Sequence, residues 1–301
     1  VGAQLVLVHG RAQEGKDPGA LKAEWLDALN EGLEKSGLSL PVDPVDVRFP
    51  YYGDTLAQLT AGRSVDGVAD VSMRGEAVDE DEQRFVCSVL AEVGAKAGVT
   101  PEDVAEAAGW DVLERGPLNW AWAQAVLTVL DRRVPYASAT AIALITRDVY
   151  AYLSRPVVRE EIDAGVAAAI TPGGATVVVA HSLGSVVAYN VLRRCGARRD
   201  WKVPLFVTVG SPLGVSRIRE AVRQGASARC PECVGEWLNA LDPRDVVALY
   251  PLDVECFPLD PARPEVVNMT HVRNRTENRH GITGYLDDVE VARRIYDALV
   301  G

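Results

Sequence analysis

The run Thr176-Val177-Val178-Val179-Ala180-His181-Ser182-Leu183-Gly184-Ser185 constrains the fold of this chain more than any other stretch. Its β-branched opening favours a strand. A sharp turn with a serine at its apex follows, and then the helical pattern of Gly184 to Arg194. Gly184 lets the helix backbone pass close to the strand. A serine at such a turn has its hydroxyl exposed above a sheet, where a histidine can reach it. The core, Ala180-His181-Ser182-Leu183-Gly184, is one small-residue variant away from G-x-S-x-G. The first position needs only a small side chain, because a larger one would crowd the helix behind the turn.

The flanking sequence fits a parallel sheet. Leu5 to Val8 reads as a buried strand and Gly15 to Gly19 as a turn-rich loop. Leu21 to Lys35 follows as a helix with Leu21, Trp25, Leu29 and Leu33 on one face, and Val45 to Phe49 as a second strand. Strand, helix and strand at this spacing make a βαβ unit. From Leu56 to Leu153 no strong strand is legible. Asp66 to Asp81 reads as a polar surface loop, and Arg84 to Lys96, Pro101 to Ala108, Leu118 to Leu130 and Ala137 to Leu153 read as helices. A further helix, Val157 to Ile170, leads into the serine strand. Leu205 to Val209 and Trp237 to Leu241 are the next strands, and Asp288 to Val300 is a closing helix with Val291, Ile295 and Leu299 inward. The expectation is a mostly parallel sheet flanked by helices, built from residues 1–55 and 155–301, with residues 56–154 as a helical insertion or cap.

A serine nucleophile needs a base, and the base needs a carboxylate to fix its tautomer and balance its charge. The chain offers His9, His181, His271 and His280. His280 fits best, because it precedes the last helix in a Gly/Thr loop and follows every carboxylate candidate. His271 is its rival. His9 is expected to order a backbone turn, and His181 to point away from the serine. Asp245 and Asp242 both lie just past a strand end. Asp245, which runs into Val246-Val247-Ala248, is favoured, while Asp242 before Pro243 also reads as a turn-former. An oxyanion needs two backbone N–H groups. Leu183 offers one at a helix start, and Arg11, after the tight Gly10, offers the other. The Arg11 side chain is also placed to meet an anionic group.

These residues together, with Gly210-Ser211-Pro212-Leu213, resemble the α/β-hydrolase superfamily and within it the lipase/esterase-like branch. The resemblance covers residues 1–55 and about 155–301. It implies that Ser182 attacks an acyl group, His280 shuttles the proton, Asp245 orients His280, and Leu183 with Arg11 stabilises the tetrahedral intermediate. It departs from the pattern at Ala180, which stands where the first glycine is usual. The leading expectation is an esterase acting on a small-molecule or lipid-like acyl substrate without a cofactor. An acyltransferase, thioesterase or amidase would use the same residues, and a non-catalytic binding protein could share the fold.

Composition removes other classes. The 301 residues carry a net charge of −11, and the densest basic group is Arg273, Arg275 and Arg279. An acidic surface repels a phosphate backbone, so a nucleic-acid partner is not expected. No apolar run reaches membrane-spanning length. No signal peptide is legible, and the cytoplasm is the default expectation for location. Oligomeric state is not readable. Five cysteines do not suggest a disulfide framework. Cys230-Pro231-Glu232-Cys233 has the spacing of half a zinc site, but no second pair follows, and a reduced pair or a local disulfide is the plainer expectation. Tyr51 and Tyr52, just past the second expected strand, are placed to wall a substrate pocket or to plug the frame. Trp120 and Trp122 sit two apart and cannot share a helical face. One is expected to pack the cap and the other to line a substrate passage, unless both are cap core.

Overall fold

A computed structural model describes residues 3–60, 79–114, 116–117, 119–134, 139–225, 227–262 and 264–301. Its frame is a parallel sheet of five strands, β1 (Gln4–Val8), β2 (Thr176–His181), β3 (Val203–Val209), β4 (Val234–Ala240) and β5 (Val266–Met269), ordered as they occur in the chain. Leu5 lies opposite Val177, Val179 opposite Val207, Phe206 opposite Trp237, and Leu238 opposite Val267. β5 was not expected. It is short, with the polar Asn268 inside it, so it carries little strand signal.

The expected strand Val45 to Phe49 is corrected. Asp43 and Pro44 initiate a 3-10 turn over Pro44–Asp46, with the Asp43 side chain accepting from the Val45 N–H. What remains pairs with β1 only through the Val6–Arg48 bridge, on the side of β1 away from β2. The Leu7 N–H donates to the Arg48 carbonyl and the Arg48 N–H to the Leu5 carbonyl, both at 2.9 Å. The chain therefore leaves β1 in one direction and later returns on its other side. In an open parallel sheet, ligands bind at such a reversal, beyond the carboxyl ends of the strands.

Alternate residues of each strand serve opposite faces. Leu5, Leu7, Val177, Val179 and Val207 pack against α1 (Pro18–Glu34) and the closing helix α12 (Val289–Val300). Asp17 and Pro18 start α1, the carboxylate accepting from the Ala20 N–H. Asp288 caps α12 in the same way. On the other face, Val6, Val178 and Phe206 pack beneath α8 (Pro156–Ala169), α9 (Leu183–Cys195) and α10 (Ser216–Arg223).

Between the Arg48 bridge and α8 lie α2 (Gly53–Thr60), α3 (Glu80–Lys96), α4 (Pro101–Ala108), α5 (Trp110–Glu114), α6 (Trp120–Arg133) and α7 (Ala139–Ser154). Asp79 caps α3 by accepting from the Asp81 and Glu82 N–H groups, so Glu80 and Asp81 are helical rather than looped. The rest of the expected polar loop lies largely outside the described residues, as do Leu118 and Ala137 at the expected starts of α6 and α7. Leu90, Val126, Leu130 and Ile142 of these helices join Val178 and Phe206 of the sheet in one continuous apolar cluster. Among the described residues no helix is long and apolar enough to cross a membrane.

Candidate active site at Ser182

β2 ends at His181 and α9 begins at Leu183, so Ser182 must turn the chain alone. It does so at φ 54°, ψ −127°, a region that costs a non-glycine residue about 1–3 kcal/mol and persists only where the surroundings enforce it. The Ser182 N–H donates to the Val209 carbonyl at 3.1 Å. Its carbonyl accepts from the Ser185 N–H at 2.9 Å and from the Ser185 hydroxyl at 2.6 Å. Ser211 in turn donates to Ser185 Oγ at 2.7 Å, so the Gly210-Ser211-Pro212 stretch props the turn from the neighbouring strand. A Cβ on Gly184 would lie 2.4 Å from the Val8 and His9 carbonyl oxygens, and only glycine fits there.

The elbow aims Ser182 at His280. His280 Nε2 lies 2.9 Å from Ser182 Oγ, and its Nδ1 lies 2.7 Å from Asp245 Oδ2. Gly210, at φ +58°, makes room for the ring: a Cβ there would stand 3.1 Å from His280 Cε1. Asp245 is buried, and its Oδ2 also accepts from the Tyr285 hydroxyl at 2.6 Å. Its Oδ1 accepts from the Val247 N–H at 2.9 Å and the Ala248 N–H at 3.4 Å. Burial works to raise the Asp245 pKa, but the His280 ring and these donors outweigh it and hold the carboxyl below its usual value. An ionised Asp245 accepts the Nδ1 proton and leaves Nε2 as an acceptor for the serine hydroxyl.

The rival residues have other partners. Asp242 accepts from the Arg244 N–H and guanidinium and from the Asn274 N–H. Asn274 Nδ2 donates to the Gly281 carbonyl at 2.8 Å, so Asp242 shapes the loop that carries His280. His271 is exposed and meets Glu290. His9, as expected, orders a turn: its Nδ1 donates to the Gly10 carbonyl at 2.6 Å and its Nε2 accepts from the Tyr52 N–H at 3.0 Å. Burial lowers the His9 pKa to about 4.

His181 has a role that the sequence did not signal. Its Nε2 donates to the His280 carbonyl at 2.7 Å, and the two rings lie 4.7 Å apart. Burial first, and the neighbouring His280 second, lower the His181 pKa to about 3. The residue before the serine therefore stays uncharged and ties the main chain of His280 to the serine strand. Tyr285 was also missed, because a lone tyrosine in a short helix, α11 (Thr283–Leu286), carries no motif.

The two expected oxyanion donors are Leu183 and Arg11. Leu183 is the first residue of α9, and a Cβ on Gly10 would lie 3.0 Å from Ser182 Cβ, so the loop into Arg11 runs against the serine. Neither N–H donates to a protein group among the described residues. The Arg11 side chain pairs with Asp148 of α7 at 2.6 Å. Ser182, His181 and His280 open into a cavity of about 380 Å³ walled by Leu21, Trp25, Ile145 and Ile282, with Gln13, Lys16 and Asn278 also on its lining.

The four aromatic residues expected at the substrate do not line this cavity. Tyr52 is buried, stacks on His9 at 4.0 Å and donates to the His9 carbonyl, so it plugs the frame. The Tyr51 hydroxyl donates to the Gln13 carbonyl at 2.6 Å. Trp122 is buried in the large apolar cluster and Trp120 packs against that cluster, so both serve the core. Cys230 and Cys233 are free thiols, each pushed up to about 11 chiefly by burial. Among the described residues no group of three or more His, Cys, Asp or Glu is placed to hold a metal ion. Compared with known proteins, the chain matches no family model, no curated protein and no solved structure.

Proposed function

We propose that this chain is a serine hydrolase that cleaves a small acyl ester through an acyl-enzyme on Ser182. One observation carries the reading: the unbroken hydrogen-bond chain Ser182–His280–Asp245, at 2.9 and 2.7 Å, on a strained strand-to-helix elbow. The resemblance of the same residues to the α/β-hydrolase superfamily supports it. In this reading residues 1–55 and 155–301 form a hydrolase core and residues 56–154 a helical cap, whose α7 contributes Ala141 and Ile145 to the Ser182 cavity.

The steps follow from the groups present. Ser182 Oγ attacks the ester carbonyl carbon while His280 Nε2 takes its proton, and Asp245 balances the imidazolium. The carbonyl oxygen becomes an oxyanion and receives the Leu183 and Arg11 N–H groups, each such donor being worth about 10²–10³ in rate. His280 then gives the proton to the departing alkoxide. Water enters, loses its proton to His280 and releases the acid, restoring Ser182. A cavity of about 380 Å³ lies near the lower end of small-molecule sites, and its mixed lining favours a short acyl group over a long one.

A fluorophosphonate probe tests this first. The parent chain is expected to label and to turn over p-nitrophenyl acetate or butyrate faster than the palmitate. S182A and H280A are expected to do neither. A folded parent that neither labels nor hydrolyses would refute the proposal.

A further inference from the structure

The Arg11 N–H can serve as an oxyanion donor only while the loop from Gly10 to Gln13 keeps its shape, and that shape is strained. Ala12 sits at φ +58°, which its Cβ disfavours. Packing grips the two ends of the loop, Gly10 against Ser182 and Gln13 against Gly53, but not Arg11 and Ala12 between them. On one side Arg11 and Ala12 line the Ser182 cavity, and the same two residues line a second cavity of about 300 Å³ with Glu82, Arg147, Asp148 and Arg155. The loop is a partition with open space before and behind it, so tethers must fix it. Gln13 Nε2 donates to the Arg11 carbonyl at 2.8 Å, and Tyr51 holds the Gln13 carbonyl. A further tether reaches across the fold: Arg11 Nε donates to Asp148 Oδ2 of α7 at 2.6 Å, with the side chains only 17% and 16% exposed. A pair so shielded is screened little by salt. The neighbouring Arg147 is already engaged by Glu82 at 2.9 Å.

We propose that Asp148 is a positioning residue for the oxyanion donor: by holding the Arg11 side chain it fixes the strained loop that presents the Arg11 N–H to Ser182. The assignment rests on the hydrolase reading above and extends it, since it makes the oxyanion site depend on one carboxylate carried by α7.

The test compares Asp148→Asn with the parent on a short-chain p-nitrophenyl ester. It also compares their affinity for a trifluoromethyl ketone, which forms a hemiketal oxyanion on the serine, and for the matching secondary alcohol, which does not. Asp148→Asn is expected to lose about 10- to 100-fold in kcat, with KM within about twofold of the parent. Ketone affinity should fall by the same factor and alcohol affinity should stay. Asp148→Glu, which keeps the charge, should recover most of the loss. Glu82→Gln breaks the adjacent ion pair without touching the loop, so it should lower Tm but leave kcat and ketone affinity within about twofold. A rise in KM at constant kcat, or a fall in kcat without loss of ketone affinity, overturns the assignment. If Asp148→Asn does not fold, Arg11→Gln, which removes the charge but keeps the backbone N–H, is read in the same way, and an unchanged kcat in that variant overturns it. Parent turnover and fluorophosphonate labelling, measured first, test the hydrolase reading alone. Only the ratios of variant to parent test Asp148, and a parent with neither property overturns both.

Discussion

Two buried, uncharged histidines beside the serine should make this fold sensitive to mild acid. His181 and His9 have an ordinary pKa of 6.5, lowered in the fold to about 3 and about 4. Below pH 6.5 each takes up a proton in the unfolded chain but not in the native one. The unfolded state then binds more protons, so stability rises with pH across this window and falls as pH drops. The loss starts near 6.5 and levels off near 4 for His9 and near 3 for His181. At pH 5 each histidine costs about 2 kcal/mol, and the pair about 4 kcal/mol, against a total stability of about 5–15 kcal/mol. Asp148 and Asp163, both raised by burial, act in the opposite sense, so the test is differential. Urea unfolding of the parent and of H181Q, whose amide can still donate to the His280 carbonyl, is followed at pH 7, 6 and 5. Relative to H181Q, the parent should lose about 2 kcal/mol between pH 7 and pH 5. A difference that stays constant with pH would mean that His181 takes up its proton as readily in the fold as in the unfolded chain, and the reasoning would fail.

Other expectations concern the site directly. D245N turns an amide toward His280 Nδ1 and places the ring proton on Nε2, facing the serine. It should lower kcat about 10⁴-fold, whereas D242N should keep kcat within about tenfold, and ester kinetics that reverse this order would reassign the acid. Y285F removes one of the two donors on Asp245 Oδ2 and should lower kcat about 3- to 10-fold at a cost of about 1–3 kcal/mol in stability, read from kinetics and denaturant melts together. G184A would drive a Cβ to within 2.4 Å of two carbonyl oxygens and should destabilise the fold by more than about 3 kcal/mol. A melting curve within 2 °C of the parent would show that the elbow relaxes more easily than its geometry implies.

The legible part of the site was its local chemistry. A β-branched run ending in a small-residue turn and then a helix leaves few conformations, so the placement of Ser182 could be read directly. His280 followed from chain order and from the loop before the last helix. The sequence favours Asp245 over Asp242 only narrowly, because both lie just past the end of β4. In the fold the Arg244 guanidinium turns back onto Asp242, and Asp245 meets His280. The aromatic residues misled for a related reason: ring area forecasts burial without saying which cavity is faced. Tyr52 spends its ring on His9, and Trp122 belongs to the apolar cluster. β5 and the shortened pairing at Arg48 went unread because each depends on a partner strand more than on its own residues.

The sheet order also says when the protein can come into being. β1 is apolar along nearly its whole length, yet the strand that covers its inner edge begins at Thr176. During synthesis β1 must wait, with the Arg48 bridge on its other edge, until the serine strand has left the ribosome. Pairing so distant in sequence is slow to form and exposes sticky backbone meanwhile. The event that ends the wait is the same one that brings Gly10 against Ser182. Until then the chain has neither a complete sheet nor Ser182 seated against Gly10, and a nascent product would be a client for chaperones.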